Sequence, residues 1–408
     1  MKIIVIGGGS AGLTAAIKSK NENNEVILLE KNNKCGKKLS LTGNGKGNYF
    51  NDDFTINNYF SNDLNLLKNL ITQENKEKLL SFFDSIGLIP NIKNGWYYPY
   101  SNKAISLKEA LQQELRAKKV TVITEEEVQN IIKETSKFKI ITSKNIYQAD
   151  KIILASGGKS YPKTGSTGEG YLFAEKLGHT IHKVLPALTP LTGEAPYFKD
   201  WHGIRAEAKV SLYENDNLIT TEQGEVQLTD YGISGICLFN LSGIISSGLD
   251  QNKKETIHID FMPFLKENTP KTTLEFLESR SKLLKNRTLI ELLEAFLNYK
   301  LAAIIIKESN LKKDQYFKSL SLAAKEKLIA NLRDFKLPIN GVKSFDKAQT
   351  NTGGVSLKEI DLNTMESKIE KNFFIIGDLL DAYGKCGGYN LSLAFLTGLL
   401  AGEKAQND

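Results

Sequence analysis

Three glycines near the start of the chain have the spacing of a phosphate-binding turn. Gly7, Gly9 and Gly12 follow the apolar stretch KIIVI, and Glu30 ends the next apolar stretch, 18 residues after Gly12. In such a turn the first glycine permits a tight bend, the second lets the backbone approach a diphosphate, and the third lets helix and strand pack closely. The N–H groups at the start of the following helix bind phosphate oxygens, and the carboxylate accepts hydrogen bonds from ribose hydroxyls. These residues predict a site for FAD or NAD, and the carboxylate disfavours the 2′-phosphate of NADP there.

The segment after Glu30 favours FAD over NAD. It reads KCGKKLSLTGNGKGNYFN, which is too polar and too rich in glycine for a core helix, and it lies where a long cofactor would extend. Lys37, Lys38 and Lys46 would place cations beside a diphosphate or a flavin, although each lysine alone fits a solvated surface equally well. No second dinucleotide fingerprint occurs in the sequence, which argues against a reductase that binds two dinucleotides in this way.

A polar, glycine-rich turn also precedes the last apolar stretch. The sequence GKCGGYNLSLAFLTGLLAG follows FFIIGD, a strand-like run that ends in Gly377 and Asp378. A helix that only packed against a core would not need such a start, so we expect its N-terminus to contact a ligand. Cys386 lies two residues before Gly388 and is a candidate proton donor, the alternative being an inert buried thiol.

The chain as a whole has the composition of a globular protein. Of its 408 residues 41% are hydrophobic, and no apolar run approaches the roughly 20 residues that cross a bilayer. The three cysteines and four histidines show no metal-ligand or disulfide spacing, so we expect neither a metal nor a membrane partner. These features predict a cytoplasmic protein with reduced thiols. The net charge of +6 fits a solvated surface and leaves acidic partners such as RNA open.

The succession of β-like, helical and glycine-rich patterns along the sequence predicts the order of its modules. A compact βαβ pattern opens the chain, short β-like runs begin near residue 190, Leu- and Lys-rich helical patterns run from about 270 to 335, and glycine-rich strands return after about 345. We predict an α/β fold in which a Rossmann-like FAD-binding domain with a parallel sheet is interrupted by an inserted β-rich module and a helical module. The predicted segments are 1–190 (FAD-binding domain, first part), 191–265 (β-rich module), 266–340 (helical module) and 341–408 (FAD-binding domain, last part).

Several blocks of the sequence resemble the BaiN/RdsA family of FAD-dependent oxidoreductases, also called the HI0933-like flavoproteins. They are IGGGSAGLTAA, GKKLSLTGNGKGN, ASGGKSYPKTGSTGEGYLFAEKLGH, GEVQLTDYGISG and NTGGVS followed by FFIIGDLLDAYGKCGGYNLSLAFLTG. More distantly, the third and last blocks look like the pattern of the fumarate-reductase flavoproteins. This chain has Lys46 and Gly47 where the family usually has Arg and Cys, so the cation is kept and the thiol is lost. It also has Asp230 and Ile236 where the family usually has His and Pro.

The resemblance implies which residues line the cofactor. Asp378 would lie near the ribityl chain or diphosphate, and the N-terminus of the last helix would point at the pyrimidine edge of the flavin. The implied cofactor-binding residues are Gly7, Gly9, Ser10, Ala11, Gly12, Glu30, Lys31, Lys38, Leu39, Thr42, Gly43, Asn44, Gly45, Asn48, Val128, Ala155, Ser156, Gly157, Gly377, Asp378, Gly388, Tyr389 and Asn390.

The resemblance also implies an activity. NADH or NADPH would reduce FAD, and flavin N5 would pass the hydride to a carbon–carbon double bond. The first substrate class is a uridine of 23S ribosomal RNA, reduced to dihydrouridine. The small excess of basic over acidic residues in the chain favours this class slightly. The second is a small unsaturated molecule such as a steroid-like enone. A flavin electron carrier without enzymatic activity is the alternative from another functional class of protein.

Overall fold

The computed structural model describes residues 1–267 and 269–407, which form two compact units. Unit 1 contains Met1–Pro186 and the residues from Phe345 onward, and unit 2 contains Ala187–Ser344. Each unit encloses its own cluster of buried apolar side chains. The division of the chain into four segments stays a prediction. In the described part of the chain no helix is both long and apolar enough to cross a membrane.

The strands are numbered in chain order. The first half of the chain contains β1 Lys2–Ile6, β2 Glu25–Glu30, β3 Phe50–Asn51, β4 Tyr59–Phe60, β5 Pro90–Lys93, β6 Trp96–Pro99, β7 Thr121–Thr124, β8 Val128–Lys133, β9 Phe138–Thr142, β10 Ile146–Ala149, β11 Lys151–Leu154 and β12 Ile181–Ala187. The second half contains β13 Leu191–Thr192, β14 Arg205–Glu214, β15 Asn217–Thr229, β16 Gly232–Ser234, β17 Glu255–Asp260, β18 Phe335–Ile339, β19 Gly341–Val342, β20 Thr350–Val355, β21 Ile360–Asp361, β22 Glu366–Ser367, β23 Phe373–Ile375 and β24 Tyr383–Gly384.

The α-helices are numbered in the same way. They are α1 Ser10–Ser19, α2 Leu64–Leu67, α3 Gln73–Ser85, α4 Ala104–Ala117, α5 Glu169–Lys176, α6 Phe198–Trp201, α7 Ile236–Asp250, α8 Pro270–Leu283, α9 Leu289–Leu293, α10 Tyr299–Glu308, α11 Leu322–Arg333 and α12 Tyr389–Gln406. Short 3-10 turns, such as Leu39–Gly45 and Phe317–Ser319, connect some of them.

A seven-stranded sheet forms the centre of unit 1, in the order β21-β22-β23-β11-β1-β2-β7. The strands from β23 to β7 run parallel, and β22 and β21 extend the sheet in antiparallel fashion. The stretch KIIVI forms β1 because a central parallel strand is covered on both faces and can bury a continuous apolar run. The predicted α/β class with a parallel sheet is confirmed.

Unit 2 is built on an antiparallel sheet in the order β18-β17-β14-β15-β16-β13-β19. Helices α8 to α11 lie in the chain between β17 and β18, and their apolar side chains share one buried cluster with the sheet. The structure differs from the sequence expectation at α7, which occupies a region expected to be β-like. Its sequence ICLFNLSGIISSGLD is buried along most of its length, so it lacks the polar stripe by which a helix is recognised from sequence.

A buried histidine network joins the turn after α5 to the edge of the large sheet. Nδ1 of His179 lies 3.2 Å from Oε2 of Glu359, and Oγ of Ser367 lies 2.9 Å from Nε2 of His179. The serine hydroxyl also accepts hydrogen bonds from the N–H groups of residues 369 and 370, so it is held as a structural link.

This network predicts a pH dependence of stability. Burial lowers the pKa of His179 from its usual 6.5, and Glu359 opposes that shift. Below about pH 6.5 the unfolded chain therefore binds more protons than the folded one, so the free energy of unfolding should fall as the pH falls through this range. Urea unfolding between roughly pH 7 and 5 measures the effect. A His179→Gln variant, which cannot titrate there, should show a shallower dependence, and an identical dependence would contradict the assignment.

Candidate functional site

Four parallel strands of unit 1 end at one edge of the sheet. Ile6 at the end of β1 lies opposite Leu29 and Leu154, and Leu154 lies opposite Ile375. The chain leaves β1 toward β2 on one side, while β11 lies on the other side, so β1 marks the point at which the strand order reverses. Ligands of open α/β sheets bind outside the carboxyl ends of the strands at such a point. The turns that the sequence singled out after β1, β2, β11 and β23 all begin at this edge.

A side chain at each of the three glycines after β1 would meet different surroundings. Gly7 has φ +107°, and a Cβ there would collide with the carbonyl oxygen of Ala155. A Cβ at Gly12 would collide with the carbonyl oxygen of Gly7, so both positions are closed by the protein itself. Gly9 has φ −80° and ψ −176°, and a Cβ there would meet no described atom within 4 Å. The space beside Gly9 is therefore the part of the turn that stays open to a ligand.

Glu30 ties this turn to the segment after β2. Its Oε2 accepts a hydrogen bond from the N–H of Gly8 at 2.8 Å, and its Oε1 accepts from the backbone and side-chain nitrogens of Asn32 at 2.7 and 2.6 Å. Asn32 was not among the predicted residues, although its position two residues after Glu30 could have indicated it. Burial, with a contribution from Glu30, raises the pKa of the Cys35 thiol to about 12, so this thiol is unreactive at neutral pH.

The lysine-rich segment forms a compact 3-10 turn beside the glycine turn. Gly43, Asn44 and Gly45 have positive φ angles, and the Thr42 hydroxyl donates to the carbonyl of Leu39 at 2.7 Å. Leu39 is buried, as is Val128 at the start of β8. Nearby in sequence, Oδ1 of Asn48 is buried and has no hydrogen-bond partner in the described part of the chain. A buried acceptor of this kind usually has a partner, which a ligand can supply.

Two of the three lysines that were expected beside a diphosphate or a flavin, Lys37 and Lys38, contact protein groups. Nζ of Lys37 lies 2.8 Å from Oδ1 of Asn32. Nζ of Lys38 lies 2.8 Å from Oδ2 of Asp378 and 2.6 Å from Oγ of Ser160. Lys31 pairs with Glu169 at 2.5 Å. Lys38 therefore reaches Asp378 across the edge of the sheet and fixes its carboxylate, which brings together two predicted site residues from opposite ends of the chain.

The turn after β11 meets the turn after β23 through two residues that the sequence analysis did not identify. The hydroxyl of Tyr171 donates to the carbonyl of Asp378 at 2.9 Å, and Nδ2 of Asn351 lies 3.3 Å from the same oxygen. Oγ of Ser156 is buried without a partner among the described residues. Gly157 has φ +77°, which only glycine adopts readily.

The last helix begins at Tyr389, where the sequence predicted a ligand-facing N-terminus. Gly388 has φ +94°, and a Cβ there would lie 2.8 Å from Oδ1 of Asn48 and from the backbone of Phe50. No side chain caps this end within the described structure, and its first turn holds no acidic residue. Gly388 is therefore required for contact with the Asn48 segment, whatever ligand the helix faces.

The side chains of Tyr389 and Asn390 make contacts within the protein. Tyr389 packs edge to face against Tyr59, with ring centroids 5.6 Å apart. The side chain of Asn390 exchanges two hydrogen bonds with the backbone of Gly384, at 2.9 and 2.8 Å, and closes the preceding turn. Within that turn Cys386 is partly exposed, and its role as a proton donor stays a prediction.

Helix α12 packs closely along α1. A Cβ at Gly398 would lie 2.5 Å from the carbonyl oxygen of Ala11, and a Cβ at Gly402 would lie 2.8 Å from that of Ala15. The Thr397 hydroxyl accepts a hydrogen bond from the N–H of residue 377 at 3.1 Å. The two helices that face the candidate site are therefore held in fixed register by small residues.

These features fit a dinucleotide such as FAD. The start of α1 follows the open side of Gly9, no side chain caps it in the described structure, and its first turn has no acidic residue. Ser10 and Ala11 in that turn are buried. Asn48 and Ser156 each hold a buried polar atom that lacks a partner in the described chain. The site therefore offers anion-binding N–H groups together with hydrogen-bonding groups for a polar ring or ribose.

Comparison with known proteins identifies a family and its members. A profile described as the HI0933-like protein Rossmann domain matches residues 1–404. The chain is 34% identical over 406 residues to a Clostridium scindens protein named 3-dehydro-bile acid delta(4,6)-reductase, covering 99% of this chain and 98% of that protein. It is 24% identical over 397 residues to the ribosomal RNA dihydrouridine synthase of Escherichia coli K12, covering 96% and 94%.

Two solved structures share the fold. The open conformation of a flavocytochrome c3 fumarate reductase matches with a TM-score of 0.50 and 14% identity, covering 99% of this chain and 78% of that one. The 3-ketosteroid-delta4-(5alpha)-dehydrogenase of Rhodococcus jostii RHA1, in complex with 4-androstene-3,17-dione, matches with a TM-score of 0.50 and 14% identity, covering 100% and 96%. At this identity the likeness concerns the fold alone.

Proposed function

The chain belongs to the HI0933-like family and is an oxidoreductase of the flavoprotein type. We propose that it reduces a carbon–carbon double bond conjugated with a carbonyl group. The observation that carries the proposal is the open turn at Gly9, which lies at the strand-order reversal and next to the uncapped start of α1. Bound FAD would supply the redox chemistry, taking a hydride from NADH or NADPH and passing it to the substrate.

The residues of the chain would bind and orient that cofactor. The N–H groups after Gly9 would bind the diphosphate, and Glu30 would accept hydrogen bonds from the adenosine ribose while it holds the turn in place. Asp378, fixed by Lys38, would face the ribityl chain. The N-terminus of α12 would stabilise negative charge at the pyrimidine edge by roughly 0.3–2 kcal/mol.

A uracil ring and a 3-oxo-Δ4 steroid present the same reactive group. In both, the double bond is conjugated with a carbonyl, so hydride adds to the carbon remote from the carbonyl and a proton adds to the adjacent carbon. The product gains two hydrogen atoms, and the electron pair comes from the nicotinamide. One site chemistry therefore serves both substrate classes named by the relatives.

The first substrate class that we propose is a uridine of large-subunit ribosomal RNA. Two relatives at 24% and 25% identity are named ribosomal RNA dihydrouridine synthases. The net charge of +6 carried by residues 266–340 favours a polyanionic substrate. A uridine must leave its stack to meet a flavin, which costs a few kcal/mol unless the base is already unpaired, and phosphate contacts can offset that cost.

A small enone of steroid type is the second candidate. It is favoured by the relative at 34% identity, whose name describes a bile acid reductase. A flavin electron carrier remains the outcome if neither substrate class is reduced.

Cofactor identity is the first measurement. The purified protein should be yellow, and denaturation should release FAD rather than FMN, because Gly9 and Glu30 would hold the adenosine half of the molecule. Chromatography of the released flavin distinguishes the two. A colourless protein that cannot be reconstituted with FAD would contradict the proposal.

The substrate is tested by an anaerobic assay at low salt. Enzyme and NADH or NADPH are incubated with ribosomal RNA from a strain that lacks the gene, and mass mapping then searches for a gain of two daltons at one uridine. A parallel reaction contains a 3-oxo-Δ4 steroid instead. A gain in the RNA alone supports the first substrate class, and reduction of the steroid alone supports the second. A flavin that is visibly reduced while neither substrate changes contradicts the reductase proposal.

A further inference from the structure

The charges of unit 2 are segregated along the chain. Residues 187–265 contain 5 Lys and Arg against 11 Asp and Glu, a net charge of −6, whereas residues 266–340 contain 15 against 9, a net charge of +6. The second value equals the net charge of the whole chain, so the other residues together are neutral. A solvated surface needs no such asymmetry, and clustered positive charge is the electrostatic signature of a nucleic-acid-binding region.

Three parts of this helical region meet through backbone hydrogen bonds and side-chain contacts. The N–H of Leu289 donates to the carbonyl of Gln315 at 2.6 Å, which places the loop before residue 317 against the start of α9. Nζ of Lys313 in that loop lies 3.2 Å from the hydroxyl of Tyr299 and 4.9 Å from its ring centroid, at the start of α10. The loop, α9 and α10 therefore present one continuous surface.

Exposed cations and aromatic rings lie together on this surface. Nζ of Lys318 lies 5.8 Å from the ring centroid of Tyr316, and the two tyrosines, Tyr299 and Tyr316, are 49% and 41% exposed. We call the following six residues the basic–aromatic patch: Tyr299, Lys300, Lys312, Lys313, Tyr316 and Lys318. All four of its lysines are exposed.

The lysines of the patch are not neutralised by carboxylates. Within the described residues no carboxylate oxygen lies within 4 Å of their amino groups, and the nearby Glu291 is engaged by Arg287 and by the backbone and hydroxyl of Thr288. Asp314 is the acidic residue inside the loop itself. The patch therefore keeps a positive charge that a polyanion could neutralise with release of counterions.

We propose that the basic–aromatic patch docks single-stranded RNA, with phosphates on its lysines and bases stacked on Tyr299 and Tyr316. Lysines that follow a backbone, combined with exposed aromatic rings, form the surface by which proteins bind single strands without reading their sequence. The inference rests on the RNA arm of the proposed function and gives that substrate a binding surface outside unit 1.

The test compares two triple variants that remove the same charge. In the patch variant Lys312, Lys313 and Lys318 become Gln. In the control, three exposed lysines of unit 1 become Gln, namely Lys68, Lys93 and Lys119, and none of them has a carboxylate oxygen within 4 Å in the described part of the chain. Binding of a fluorescently labelled single-stranded RNA is followed by anisotropy between about 50 and 200 mM salt. The patch variant should bind roughly tenfold more weakly at low salt, and the slope of log K against log salt should fall by about 2, since each lost phosphate contact removes about 0.7. The control should keep the wild-type slope.

A single aromatic variant separates stacking from charge. Tyr316→Ala should weaken RNA binding roughly fivefold or more while leaving the salt slope unchanged, because stacking on an aromatic ring releases no counterion. Circular dichroism and flavin content should match the wild type, since Tyr316 lies on the surface of unit 2.

Failure of this proposal is distinguishable from failure of the proposed substrate. If the wild type adds two daltons to a uridine while the patch variant reacts with an unchanged KM for RNA, the patch is not the docking surface although the activity stands. The proposal is also overturned if patch and control variants bind RNA alike, or if the patch binds acidic proteins and not RNA. Weakened, salt-dependent binding by the patch variant supports it even where no uridine is reduced.

Discussion

A Gly9→Asp variant is expected to fold at least as stably as the wild type and to purify without flavin. The backbone at Gly9 has the extended conformation of a helix N-cap, and a new side chain would meet no described atom within 4 Å. An aspartate N-cap facing the helix dipole should stabilise the flavin-free protein by a few tenths to about 1 kcal/mol. The same carboxylate would stand where a diphosphate binds, and repulsion between charges about 4 Å apart is on the order of 4 kcal/mol at a protein surface. Flavin affinity should therefore fall by two orders of magnitude or more.

Two control variants separate charge, volume and packing. Gly9→Asn offers nearly the same shape and a good N-cap without the charge, so it should lose less flavin than Gly9→Asp. Gly12→Ala should show the reverse pattern, with a lower melting temperature even in the absence of flavin, because its Cβ collides with the carbonyl of Gly7. Melting temperatures of the flavin-free proteins and titrations with FAD give both quantities. If Gly9→Asp kept its full flavin content through dialysis, the open side of the turn would not be the diphosphate site.

Replacement of Glu30 by alanine is expected to weaken both the fold and the binding of flavin. The carboxylate is buried and accepts hydrogen bonds from Gly8 and from two nitrogens of Asn32. Its removal leaves the buried N–H of Gly8 and the partly buried N–H of Asn32 without this acceptor. Because hydrogen bonds to a charged group contribute about 1.5–3 kcal/mol each and are not additive, the flavin-free protein should lose about 3 kcal/mol of unfolding free energy. A further loss of roughly 1–3 kcal/mol in FAD affinity is expected from the missing bonds to ribose.

A Glu30→Gln variant tests how the carboxylate acts. The amide keeps the volume and one acceptor oxygen, but its NH₂ group faces a donor, either Gly8 or Asn32, so the stability should be intermediate. Urea unfolding of the flavin-free variants and FAD titration measure the two effects separately. A Glu30→Ala protein with wild-type stability and wild-type flavin content would exclude both roles.

Those parts of the fold that depend on local pattern could be predicted from the sequence. The stretch KIIVI, the glycine turn and Glu30 lie within one βαβ unit, where the local pattern explains why each residue type occurs at its position. The structure places them at one edge of the sheet. The polar start of the last helix was identified in the same way, since glycines before an apolar run are a local signal.

The contacts that could not be predicted join distant parts of the chain. Tyr171 and Asn351 meet at the carbonyl of Asp378 only because α5, β20 and the turn after β23 are adjacent in the folded protein. The contact between the amino group of Lys38 and Asp378 joins residues 340 positions apart and was likewise not predicted. Pairings of this kind depend on tertiary structure, which neither propensity nor periodicity encodes.

The packing of α12 on α1 has a consequence for the synthesis of this protein. The glycine turn is synthesised before unit 2, whereas β23, which pairs with β11, and α12, which packs on α1, are synthesised after it. All residues of unit 2 are translated before β23 begins, so its core can close while β11 still presents an unpaired edge. Acquisition of the cofactor should therefore wait until α12 has been synthesised. A chain truncated before α12 should fail to acquire it, although every residue of the first turn would still be present.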